Sequence, residues 1–181
     1  VNRLLISFVM FILCCPGAAA QEQPPGNFEN WGVCPFECCT YRDWTANADI
    51  AVHESRNNQS AVVFRLRKDE QVRALTGVVV TEKASIVRID KTVQDGYVQG
   101  VDKPQLALKA GDVIYMLAPL GEGSYLFWYR GKVYTSGAGL AAMPGVDGKD
   151  AKMTWWKQVE NKAGKRGWTA SDEFSNADAC G

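Results

Sequence analysis

Trp155-Trp156-Lys157-Gln158-Val159-Glu160-Asn161-Lys162-Ala163-Gly164-Lys165-Arg166-Gly167-Trp168-Thr169-Ala170-Ser171-Asp172-Glu173-Phe174 is the stretch of this 181-residue chain that decides its fold class. An aromatic-rich run, Trp155 to Val159, meets a polar, Gly-containing connection and then a second short run that opens with Gly167-Trp168. The spacing predicts a β-hairpin with a wide loop, then a polar turn from Ala170 to Glu173 that closes on apolar Phe174. No phosphate-binding loop and no metal-ligand spacing occurs in it, so it points to gripping rather than to chemistry.

At the other end, residues 1–20 have the three-part pattern of a secretory signal peptide. Arg3 supplies the positive start, Leu4 to Cys15 the apolar run, and Pro16-Gly17 breaks it before Ala18-Ala19-Ala20. The apolar run is shorter than the roughly 20 residues of a spanning helix, so no membrane span is expected in the mature chain. A periplasmic or secreted protein is therefore expected. The chain beyond residue 20 suits one ordinary domain or two very small ones. Over the full 181 residues, 20 basic and 20 acidic side chains leave a formal net charge of zero. Nucleic-acid binders carry a clustered basic excess, so that class is set aside.

Cys14 and Cys15 would leave with the leader, and Cys34, Cys38, Cys39 and Cys180 remain. An even count in an exported chain predicts disulfides. A vicinal Cys38–Cys39 bond would be strained, so one of the two is expected to pair with Cys34 and the other with Cys180. The bond to Cys180 would close a long loop, worth about 4 to 5 kcal/mol on chain-entropy grounds. Zinc is the alternative, but Cys-x3-Cys-Cys lacks the paired Cys-x2-Cys geometry. Neither a metal nor a cofactor is expected.

Between the ends the pattern is one of short strands. Gln21 to Asn30 is a polar leader with Pro24-Pro25-Gly26, and 21–44 forms a Cys-rich N-terminal segment. Val62, Phe64 and Leu66 alternate with Val63, Arg65 and Arg67. Lys68-Asp69-Glu70 turns the chain into Val72 to Leu75. Thr76-Gly77 separates that run from Val78 to Thr81, Ala84 to Ile89 is another strand, and Asp95-Gly96 is a turn signal. The second half repeats this grammar: Leu106 to Leu117 echoes Phe64 to Leu75, with a charged tight turn between two apolar strands in each. A dense aromatic strand, Tyr125 to Tyr129, turns through Arg130-Gly131-Lys132 into Val133-Tyr134. Ser136 to Met153, rich in Gly, Ala and Asp, is expected to be a long loop. No helical stripe occurs, and the expected class is all-β.

Both halves resemble the bacterial SH3 (SH3b) family. Its pattern runs through Leu-Lys-x-Gly-Asp/Glu-x-Val-x-x-Leu, then Trp-x-x-Val, then Gly-Lys-x-Gly-Trp-Val and a closing apolar residue. Leu108-Lys109-Ala110-Gly111-Asp112-Val113, Trp156-x-x-Val159, Gly164-Lys165-Arg166-Gly167-Trp168 and Phe174 match it in one copy. Leu66 to Leu75 matches in the other. The first copy has Asp69 in place of the turn glycine and no Gly-Trp after Ile89. In the second, Val113 follows Asp112 directly and the span Gly121 to Thr154 is long enough for an extra hairpin. The resemblance implies two small SH3-like β-barrels in tandem, disulfide-braced: a degenerate one over 45–100 and a second over 101–181 with an inserted hairpin.

Enzyme chemistry has little to work with. His53 is the one histidine, and a cysteine peptidase needs a base and its orienting partner, commonly two histidines. No Gly-x-Ser-x-Gly elbow supports a serine triad, and a barrel this small lacks the cleft of a two-carboxylate glycosidase. Asp147-Gly148-Lys149-Asp150 lacks the alternating ligands of an EF-hand loop and is expected to be a solvated turn. The aromatics are the stronger candidates. Tyr125, Phe127 and Tyr129 should share one strand face, with Leu126 and Trp128 on the other. One face must be covered by protein or offered to a ligand. Tyr125, Trp128, Tyr129 and Trp155 are the candidate ligand-binding residues, because aromatic faces suit prolines and sugar rings. Trp156 and Trp168 match recurring positions of the pattern and are expected to be structural. The resemblance implies a non-catalytic exported module that binds cell-wall peptide or peptidoglycan. Binding of another envelope protein and an envelope hydrolase are the alternatives.

Overall fold

A computed structural model describes residues 22–98, 103–141, 143 and 151–179. Residues 1–20, expected to be a leader, residues 147–150, expected to be a solvated turn, and Cys180 lie outside the described residues. Charged and Gly-containing turns punctuate runs rich in Val, Ile, Tyr, Phe and Trp, and the chain accordingly folds as strands. The first five are β1 (Phe28–Trp31), β2 (Asp43–Ala46), β3 (Ile50–His53), β4 (Val62–Leu66) and β5 (Gln71–Lys83). Next come β6 (Ser85–Arg88), β7 (Val93–Gln94), β8 (Ala107–Leu108), β9 (Val113–Gly121), β10 (Ser124–Tyr129) and β11 (Lys132–Thr135). A single helical turn, α1 (Ala138–Ala141), precedes β12 (Lys152–Glu160), β13 (Arg166–Thr169) and β14 (Phe174–Ser175).

The two strands of the hairpin quoted at the outset pair with each other, and on their outer sides with strands from the first half of the sequence. An eight-stranded half-barrel sheet runs β14-β2-β5-β12-β13-β3-β4, with β1 added on β5. β12 lies antiparallel along β5 from Lys152 opposite Lys83 to Glu160 opposite Arg73. β13 follows as the other arm of the predicted hairpin, Val159 opposite Gly167. Residues 84–151 leave this sheet and return to it. Within them, β11-β10-β9-β6 make a separate four-stranded antiparallel sheet, and β7 pairs with β8. The succession of a barrel over 45–100 and another over 101–181 is therefore not the order of strand pairing. β12, β13 and β14 complete the first sheet, because their apolar faces are buried against β2, β3 and β5.

Each sheet has its own core. Trp44, Ala46, Ile50, Val52, Leu66, Val72, Ala74 and Val159 pack under the first. Val87, Ile89, Leu108, Ile114, Met116, Phe127, Tyr129, Leu140 and Met143 pack under the second. The two meet where β5 runs on towards β6, and the Thr81 hydroxyl donates to the Leu117 carbonyl at 2.9 Å. In the second unit the buried Asp95 carboxylate accepts three backbone N–H groups, from Gly96 (2.6 Å), Gly137 (2.6 Å) and Leu140 (2.5 Å). It pins α1 to the turn after β7.

Candidate binding groove

Cys34 and Cys39 form a disulfide with their Cα atoms 6.0 Å apart. The short loop it closes holds Pro35 and Phe36 over the β5–β12 face. Cys38 is also disulfide-bonded. The C-terminal tail runs back beside this loop. Thr40 N–H donates to the Ala177 carbonyl at 2.9 Å, and Ala179 N–H to the Cys38 carbonyl at 2.7 Å. The Arg42 guanidinium donates to the Asn176 and Asp178 carbonyls, each at 2.8 Å. One wall is thus closed by its own disulfide, and the other is held beside it by main-chain bonds and by the Arg42 guanidinium.

Between the walls lies a groove of about 1040 Å³. Trp44, Val79, Met153 and Trp155 form its floor, Pro35 and Phe36 one wall, and Phe174 to Ala179 the other. The aromatic rings interlock. Trp155 meets Phe36 edge-on at 5.4 Å and Trp44 at 5.9 Å, and Trp44 contacts Phe174 at 5.3 Å. Trp44 is fully buried while Trp155 is half-buried, so Trp155 presents ring surface to the groove. Its indole N–H donates to the Tyr41 hydroxyl at 3.3 Å, and that hydroxyl donates to the Val33 carbonyl at 2.7 Å. Burial pushes the Tyr41 phenol above its ordinary value.

Gly77 explains how the indole gets so close to the backbone. A Cβ there would fall 2.6 Å from Trp155 Nε1 and against the Tyr41 hydroxyl. The Thr76-Gly77 pair, expected to separate two strands, instead lies inside continuous β5. The glycine serves close approach, not a turn.

Lys157 lies under the same indole, its Nζ 4.2 Å from the Trp155 ring centroid. The ammonium donates to Asp172 Oδ1 at 2.5 Å and to the Ala170 carbonyl at 3.3 Å. Burial lowers its pKa, and the Asp172 carboxylate opposes that shift.

The four candidate residues do not converge. Trp155 lines the groove; Tyr125, Trp128 and Tyr129 lie on β10, in the other sheet. Tyr129 is buried in the second core and Tyr125 packs against it. Burial first, and then the Asp112 carboxylate, raise the Tyr129 phenol. Trp128 is half-buried, and its indole N–H donates to the Glu22 carbonyl at 2.8 Å. Phe36, Trp44 and Lys157 were not singled out. The Cys34–Cys39 staple around Pro35-Phe36 was the signal that could have found the first of them. His53 is buried and its Nδ1 lies 2.9 Å from the Ser60 carbonyl. A carbonyl can only accept, so Nδ1 carries the proton and the ring braces the β3–β4 loop. Among the described residues no three His, Cys, Asp or Glu side chains come together as a metal site.

Compared with protein families, curated proteins and solved structures, the chain has no match.

Proposed function

We propose that this chain is a non-catalytic, exported binding module whose groove receives an extended peptide, with the stem peptides of a bacterial cell wall as the ligand class. The observation that carries the reading is the pre-formed aromatic groove. A half-buried Trp155 lies between a disulfide-closed loop and a hydrogen-bonded tail, and rigid aromatic surface binds at low entropic cost. The largely exposed Asp172 carboxylate at its edge suits a peptide amine. The leader pattern at 1–20 and the Cys34–Cys39 bond both suit an oxidising, extracytoplasmic compartment.

The SH3-like reading is retained in a changed form. Leu66 to Leu75, Trp156-x-x-Val159, Gly164 to Trp168 and Phe174 follow one another in the family pattern. Here they occupy β4, β5, β12, β13 and β14 of one sheet. That order supports one SH3-like unit interrupted by residues 84–151, with the missing Gly-Trp of the first copy supplied after the interruption.

Co-sedimentation with purified sacculi tests the function. Wild-type protein should be retained, and Trp155→Ala should reduce retention about tenfold. Equal retention of the two proteins, or none of either, would remove the reading. A second reading, binding of another envelope protein by strand addition, draws on one feature. β4 ends the strand order of the first sheet, and Val62 on it is 42% exposed.

A further inference from the structure

The opposite face of the first sheet carries a second aromatic surface. Trp31 and Trp156 both lie in register with Val78, from either side of β5, so their side chains share one face. Trp168 joins them. Its ring meets Trp31 edge-on at 6.0 Å, and the Arg56 guanidinium lies 4.9 Å from the Trp31 centroid and 5.8 Å from that of Trp168. Arg56 is locked there by Glu29 at 2.7 Å, which also accepts the Trp31 indole N–H at 2.9 Å. Even so, Trp31 remains 52% exposed. A large indole braced by three side chains and still half open to water is held ready rather than packed away.

Beside it is a cavity of about 530 Å³ with Trp156 at its base and Arg56, Asn58 and Gln59 along one side. Its charges cancel in pairs: Glu29 with Arg56, and Glu82 with Lys152 at 2.5 Å. Each carboxyl is held below the ordinary carboxylate range by a hydrogen bond from its partner. An anion would meet two carboxylates, and a cation would have to displace a paired base. What remains is a neutral, polar ligand with a flat apolar face. The exposed amides of Asn58 and Gln59 can donate and accept to hydroxyl and acetamido groups, while an indole stacks against ring C–H bonds.

We propose that the Trp31–Arg56–Trp168 surface and its adjoining cavity bind an uncharged saccharide chain, separately from the Trp155 groove. The two sites lie on opposite faces of β5 and β12, so one molecule could engage the sugar and the peptide of a glycopeptide polymer together.

The probe is the tetramer of β-1,4-linked N-acetylglucosamine, which contains no peptide, titrated by calorimetry and tryptophan fluorescence. Wild-type protein should bind it saturably. Trp31→Ala and the double variant Asn58→Ala, Gln59→Ala should each weaken binding about tenfold. Trp155→Ala should bind as the wild type does. The double variant alters exposed side chains, so it tests the site even if Trp31→Ala fails to fold. No saturation up to about 10 mM tetramer, far weaker than a specific site, would overturn the proposal. So would unchanged affinity in the double variant, equal loss in Trp155→Ala, or binding of a proline-rich peptide at Trp31 in place of the saccharide. Retention on sacculi lost only in Trp155→Ala would leave the peptide reading standing and the saccharide site refuted.

Discussion

Lys157 Nζ donates to Asp172 Oδ1 at 2.5 Å, although the lysine side chain has no exposed surface and that of the aspartate is 82% exposed. The pair joins the sheet to the turn that opens the C-terminal tail, directly under the Trp155 ring. Removing each partner should have unequal effects. Asp172→Ala leaves a buried ammonium without its carboxylate and should cost about 1–2 kcal/mol, less than a wholly buried pair because water reaches the aspartate. Lys157→Met removes the charge and its desolvation together and should stay within about 1 kcal/mol of wild type. Denaturant unfolding of the two variants measures this, and a Lys157→Met more damaging than Asp172→Ala would refute it.

The same lysine predicts a pH trend. Its folded value lies below the ordinary lysine value of 10.5, chiefly through burial. Between the two values the unfolded chain holds more protons than the folded one, so this group's contribution to stability rises with pH across that window and levels off above it. Half-buried Tyr41 and buried Tyr129, shifted upward, act in the other direction at high pH. The stability difference between wild type and Lys157→Met isolates the lysine, and it should move in favour of wild type as pH increases. A flat difference would mean the ammonium is not desolvated.

Loosening the groove wall should weaken ligand binding more than it weakens the fold. Replacing Cys34 and Cys39 by Ser opens a very short loop, for which the entropic loss is about 2 kcal/mol. Phe36 would then be free to leave Trp155. Peptide affinity should fall in parallel in Phe36→Ala, which keeps the disulfide, and calorimetry on the two variants would show whether it does.

Asp95 is the pin of the inserted unit. Asp95→Ala would leave three backbone donors around a buried site without acceptors, at about 1–3 kcal/mol for each one that water cannot reach. Hydrogen exchange should speed up at Gly137 and Leu140, while amides of β5 and β12 keep their protection. Uniform acceleration across both sheets would instead mean that the two cores unfold as one.

Gly77→Ala should act at a distance from its own small volume. The added methyl meets Trp155 and Tyr41, so the indole must shift or β5 must bend. Reduced near-ultraviolet circular dichroism from the tryptophans, with strand content kept, is the expected signature; an unchanged spectrum would show that the close approach is not enforced.

Much of the local structure was legible in the residues. The polar turn Lys68-Asp69-Glu70 carries Asp69 at φ 67°, and Arg130-Gly131 turns β10 into β11 with both residues at positive φ. Tyr125, Phe127 and Tyr129 share the inner face of β10, as a period of two requires. The groove was legible only through Trp155. Phe174 was legible as the residue that closes the hairpin, but nothing in the spacing of Phe36 and Phe174 says that the Trp155 and Trp44 indoles link them, Phe36 meeting the first and Phe174 the second.

Strand character and turn positions follow from alternation and backbone preference, which act over a few residues, and these made the chain all-β before any pairing was known. The partner of each strand is a different kind of quantity. Trp155 to Phe174 looked like the end of a barrel begun at Leu106, yet β12 and β13 complete a sheet begun at Trp44. The cost of spanning residues 84–151 grows only with the logarithm of their length, whereas closing the first core over Trp44 and Val159 buries large apolar surface. That balance is a property of the folded whole, and it brought Trp155 to Phe36 and kept it from Tyr125.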